Sequence, residues 1–134
     1  MDTRLARLIA DYQAAVREVV DAMQCSGLEL PASNDDWAGN DMEQQGELAG
    51  GIPYFKHGYG CAARLPSGIA VDFDFGDNGE IDGVEAWRLA GFAGSRLRDY
   101  GFDDESALIA CFKAAVERGE LVYSGYILYY LKRP

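Results

Sequence analysis

The segment His57-Gly58-Tyr59-Gly60-Cys61 sets the only histidine of the chain four residues before one of its three cysteines. The following apolar run, Val71-Asp72-Phe73-Asp74-Phe75, offers two carboxylates, Asp72 and Asp74, on a strand that can face it. These are the residue types of a thiol nucleophile, an imidazole base and a carboxylate that orients the imidazole. In an extended chain positions 57 and 61 share one side but lie roughly 13 Å apart by strand rise. A direct hydrogen bond then requires the glycines to bend the chain. The competing assignment is structural: a buried thiol, and an imidazole bonded to backbone or carboxylate. His57, Cys61, Asp72 and Asp74 are thus the candidate catalytic residues of an enzyme or ligand-binding reading.

Metal chemistry has weaker support. One histidine and three scattered cysteines match no zinc spacing. An EF-type loop from Asp74 to Glu85 puts Asp74 at position 1, Asn78 at 5, Gly79 at 6, Asp82 at 9 and Glu85 at 12. Position 3 is Gly76, which has no ligand atom, and the preceding residues pattern as a strand where that motif needs a helix. Asn78-Gly79 is also a favoured turn dipeptide in its own right. Asp74, Asn78, Asp82 and Glu85 stand as calcium candidates, and no cofactor is expected. Gly50-Gly51 and Gly58 with Gly60 lack both the Walker lysine and the G-x-G-x-x-G fingerprint of phosphate loops.

The elements that must position these residues follow from periodicity. Leu5, Leu8, Ile9, Tyr12, Val16, Val19, Val20 and Met23 form the stripe of an amphipathic helix, with Gly27 as its stop. From Gly27 to Ile52 the composition is polar, with acids and no Lys or Arg, and reads as a long loop with one helical turn near Met42 to Leu48. Trp37 in that loop is an anchor to the core or a contact for a partner. Ile52 to Phe55 leads in as extended chain; Tyr59 to Leu65 and Ile69 to Phe75 form a hairpin through Pro66-Ser67-Gly68. Alternation puts Val71, Phe73 and Phe75 on a covered face and Asp72 and Asp74 on an acidic one.

Val84 to Tyr100 begins as helix with Trp87, Leu89 and Phe92 as core candidates and a break at Gly91 or Gly94. A helix from Asp103 or Asp104 to about Arg118 follows, and Leu121 to Leu131 reads as a covered third strand with a bulge at Gly125. The expected fold is α+β: one globular domain over residues 1–134, a small, mainly antiparallel sheet of about three strands, and helices packed on one face.

With 12 Lys and Arg against 22 Asp and Glu, the 134-residue chain carries a formal charge of −10. Such a balance disfavours nucleic acid and anionic membrane, since both are held through Lys and Arg. It suits a basic protein partner drawn in by long-range attraction. No run of 18 apolar residues is present, and the first residues read as amphipathic helix, not as a signal core. Cys25, Cys61 and Cys111 form no C-x-x-C pair, so reduced thiols and a cytoplasmic location are expected.

The motifs His57-Gly58-Tyr59-Gly60-Cys61, Val71-Asp72-Phe73-Asp74-Phe75-Gly76 and Trp87-Arg88-Leu89 carry a resemblance. Over about residues 52 to 92 the chain resembles a family of small uncharacterised bacterial domains of unknown function, with HGxGC and VDFDFG signatures followed by WRL. The resemblance implies no established activity. Its small single-domain style is similar to that of immunity proteins encoded beside bacterial toxins, an analogy of size alone. The leading expectation is an interaction protein, of the kind an immunity protein is, that occludes a basic toxin domain. Trp37, Asp35, Asp36, Asp41, Glu43 and Glu47 are its partner-binding candidates. A homodimer through the tyrosine-rich last strand is the further alternative.

Overall fold

A computed structural model describes residues 1–30, 44–57, 60–125 and 127–133. In chain order the elements are α1 (Thr3–Cys25), β1 (Gln44–Leu48), β2 (Ile52–His57), β3 (Gly60–Arg64), β4 (Ala70–Asp74), α2 (Ala86–Ala93), a 3-10 segment (Gly94–Tyr100), α3 (Glu105–Glu117), β5 (Leu121–Tyr123) and β6 (Tyr129–Leu131). The architecture is α+β. Two compact units divide it: Met1–Tyr12 with Asp82–Pro134, and Gln13–Ile81.

The helix α1 forms where the stripe predicts, and all eight stripe residues are buried. Each such aliphatic side chain removed from water contributes roughly 1.5–3 kcal/mol. Gly27, at φ +78°, ends it: the Leu28 amide donates to the Met23 carbonyl and the Gly27 amide to that of Gln24. These two bonds satisfy carbonyls that the helix end would otherwise leave unpaired.

In the Gln13–Ile81 unit, β1 to β4 make a four-stranded antiparallel meander in sequence order. The helical turn expected near Met42 to Leu48 is instead strand β1 from Gln44 onward. Gly50 and Gly51, both at positive φ, reverse the chain so that Leu48 pairs with Ile52, and ladder hydrogen bonds outweigh the local helical preference. The hairpin through Pro66-Ser67-Gly68 forms as expected, closed by bonds from the Leu65 amide to the Ile69 carbonyl and from Gly68 to Leu65. One sheet face, with Ile52, Cys61, Ala63, Val71 and Phe73, is buried, and Val16, Val19, Val20 and Met23 of α1 add to the core of the same unit.

In the other unit, Glu85 caps α2, its carboxylate accepting from the Trp87 and Arg88 amides. Leu89, Ala90, Phe92 and Ala93 are buried, but Trp87 is 63% exposed, contrary to the core role expected of it. Two helical positions separate it from Leu89, which points the two side chains to opposite sides. Gly94, at φ +51°, makes the anticipated break, and Asp104 caps α3 by accepting from the Ala107 amide.

The last segment is not one covered strand. It folds back at Ser124 and Gly125, the latter at φ +90°, into the separate hairpin β5–β6. Glycine in the left-handed region makes a turn where a bulge was expected. The described strands therefore number six in two sheets, where about three in one were expected.

Candidate functional site

The β2–β3 pairing decides where the residues of the first motif go. His57 pairs with Gly60 and Lys56 with Cys61, so the chain has already reversed between His57 and Gly60. Gly58 and Tyr59 lie outside the described residues. Because alternate residues face opposite sides, His57 joins Phe55, Ala62, Asp72 and Asp74 on one face, whereas Cys61 joins Phe73 and Ala63 on the buried face. The straight strand that would carry His57 and Cys61 on one side is replaced by a hairpin that separates them.

On the polar face His57 Nε2 stands 3.2 Å from Asp72 Oδ1, and the His57 ring stacks on Phe55 with centroids 5.9 Å apart. Gly60 underlies this pair. A Cβ built there would meet Asp74 Oδ1 at 2.5 Å and His57 Cε1 at 3.1 Å, so Asp74 and His57 close over the same glycine. Asp72 is half-exposed and Asp74 buried, a difference that the strand alternation alone does not predict. His57, Asp72 and Asp74 are thus brought together and Cys61 is not. The trio can accept or donate hydrogen bonds and, with His57 protonated, hold an ion pair.

Cys61 is fully buried, and its thiol is pushed up to about 12, by burial first and by the charge of Asp72 second. A thiol so placed is not a thiolate near neutrality. Opposite it on the buried face lies Lys56, only 5% exposed, which the reading of motifs overlooked. The alternation Ile52, Tyr54, Lys56 carried the signal, since it puts the lysine on the same side as a core isoleucine.

The calcium candidates are deployed otherwise. Both carboxylate oxygens of Glu85 cap α2. The Asn78 backbone and side-chain amides donate to Glu80, while Gly76 and Gly79 close the turn through backbone bonds. Burial would raise the Glu80 carboxyl, but hydrogen bonds from the Asn78 backbone, Glu80's own backbone amide and the Asn78 side chain together outweigh it and hold the group below the usual carboxylate range. Asp74 and Asn78 belong to one unit, Asp82 and Glu85 to the other. Among the described residues no three His, Cys, Asp or Glu side chains are grouped to hold a metal ion. Of the partner-binding candidates, Glu47 is exposed on β1, while Asp35, Asp36, Trp37, Asp41 and Glu43 lie outside the described residues.

A second feature escaped the motifs. In the Met1–Tyr12 and Asp82–Pro134 unit, α3 presents Ile109, Phe112 and Val116 at helical spacing toward Trp87, Tyr123 and Tyr129. They line a groove of about 490 Å³, with Glu85, Lys113 and Glu117 also at its walls. Tyr129 packs edge-on against both Phe112 and Tyr123, at 5.4 and 5.5 Å between centroids. Trp87 and Tyr123 are more than half exposed.

A family model described as "Domain of unknown function (DUF6896)" matches residues 5–131. The chain belongs to this DUF6896 family. The match covers every described helix and strand except the first two residues of α1, so it includes nearly all of both units. No curated protein and no solved structure matches the chain. Among the described residues of this DUF6896 chain, no helix is long and apolar enough to cross a membrane.

Proposed function

We propose that this DUF6896 chain is a cytoplasmic bacterial protein-interaction domain whose acidic unit holds a basic protein partner, as an immunity protein holds a basic toxin domain. The partition of charge carries the reading. In the Gln13–Ile81 unit twelve carboxylates stand against three basic residues, Arg17, Lys56 and Arg64, a formal charge of −9. The remaining unit has ten carboxylates against nine basic side chains, close to balance. A single-sign field concentrated on one unit steers an oppositely charged partner and rejects like-charged ones. On that unit, the half-exposed Asp72 beside His57 and the exposed Glu47 on β1 are acceptors suited to Arg and Lys.

Titration calorimetry of the chain against the protein encoded beside it tests the reading. Binding is expected to weaken at least about tenfold between low and physiological salt. Removing Asp35, Asp36, Asp41, Glu43 and Glu47 together as amides is expected to weaken it further, chiefly by slowing association. Binding insensitive to both changes overturns the proposal.

A further inference from the structure

We infer that the aromatic groove of the Met1–Tyr12 and Asp82–Pro134 unit is a self-association surface that receives a second copy of this chain, independently of the acidic unit. The exposed large apolar side chains of the described residues, Met1, Trp87, Val122, Tyr123, Ile127 and Leu131, all belong to this unit, and four of them to the β5–β6 hairpin. Scattered single apolar residues are ordinary on a surface, but Trp87, Tyr123 and Ile127 converge on one groove.

Charge selects the occupant. A basic partner is drawn to the unit of formal charge −9, whereas this unit carries ten acids and nine bases and exerts little net pull on either sign. A two-fold contact needs a surface that complements itself. The groove wall meets that need with Lys113 and Glu117 one turn apart on α3, so a rotated copy can set each opposite its counterpart of the other sign.

The area suits a weak contact. Trp87 at 63% and Tyr123 at 57% exposure, with Ile127, offer on the order of 400 Å² per copy, about half of what one side of a standard interface buries. The contact is accordingly a reversible one, seen as a concentration-dependent equilibrium.

Sedimentation velocity across a wide concentration range, on the full chain at low and high salt, tests this. The weight-average mass is expected to rise toward twice the chain mass as concentration increases. Salt is expected to leave the association unchanged or strengthen it, because it screens repulsion between the two acidic units; partner binding through those units weakens with salt, so the two proposals fail separately. Trp87→Ala and Tyr123→Ser, at exposed positions, are expected to weaken association at least about tenfold each while leaving the melting temperature close to the parent's. Asp72→Asn, in the acidic unit, is expected to leave it unchanged. A monomer at every concentration, or association that survives the Trp87 and Tyr123 substitutions in folded protein, overturns the inference.

Discussion

His57 and Cys61, four positions apart in sequence, stand on opposite faces of one antiparallel sheet. The imidazole therefore meets Asp72 and not the thiol, which is a core group. Because burial raises Cys61 from 9.0 to about 12, the folded state keeps its proton where the unfolded chain has lost it. The stability this contributes is fully present below the unfolded value of 9.0 and is lost as pH climbs through that window toward about 12. Urea unfolding should weaken more steeply above pH 9.0 in the parent than in Cys61→Ala. In the native protein at mild alkaline pH, a thiol reagent should label exposed Cys25 and reach Cys61 only on unfolding. Rapid labelling of Cys61 in folded protein would refute its placement.

Gly60 is set by close approach. A methyl there would lie 2.5 Å from Asp74 Oδ1 and 2.7 Å from the Phe73 carbonyl oxygen, and the second atom is backbone that cannot swing aside. Gly60→Ala should cost about 1–3 kcal/mol, read from the urea midpoint. Gly46→Ala is the control, since its Cβ would meet only the Tyr54 ring, at 3.3 Å. Equal losses at the two positions would contradict the crowding over Gly60.

The stripe of α1, the Pro66-Ser67-Gly68 hairpin and the Asp104 cap were legible because each rests on a local rule: a period, a turn residue, a capping oxygen. What the sequence concealed depends on partners distant along the chain. Gln44–Leu48 has little β-propensity and becomes a strand because Ile52–His57 pairs with it across a double-glycine turn. The approach of His57 to Asp72 and Asp74 could be anticipated from alternation, but its separation from Cys61 turns on the pairing of His57 with Gly60, which alternation does not encode. The exposure of Trp87 follows from its angle on the helix relative to buried Leu89, which hydrophobicity alone does not encode.

Glu85 has a capping role that can be separated from calcium binding. Its carboxylate accepts from the Trp87 and Arg88 amides at 2.9 and 3.0 Å, so Glu85→Ala should lose about 0.5–2 kcal/mol. Glu85→Asp, a favoured capping residue, should recover most of that loss. Since both oxygens serve the helix, millimolar calcium should leave the melting temperature unchanged. A calcium-dependent rise that disappears in Glu85→Ala would show that the carboxylate serves a cation instead.

The uneven charge makes stability depend on where a charge is altered. Glu47 is exposed on β1 in the unit of formal charge −9, whose excess of like charge opposes compaction. Glu47→Lys should raise stability at low salt by about 0.2–1 kcal/mol, a gain that shrinks as salt shortens the screening length. Glu105 sits in the first turn of α3, in the near-neutral unit, where a negative charge meets the positive end of the helix dipole. Glu105→Lys should lower stability by about 0.3–1 kcal/mol. Thermal melts of the two variants over a salt series should thus start on opposite sides of the parent and converge toward it. If both reversals shifted stability in the same direction, local surroundings rather than the charge of the unit would govern the response at Glu47.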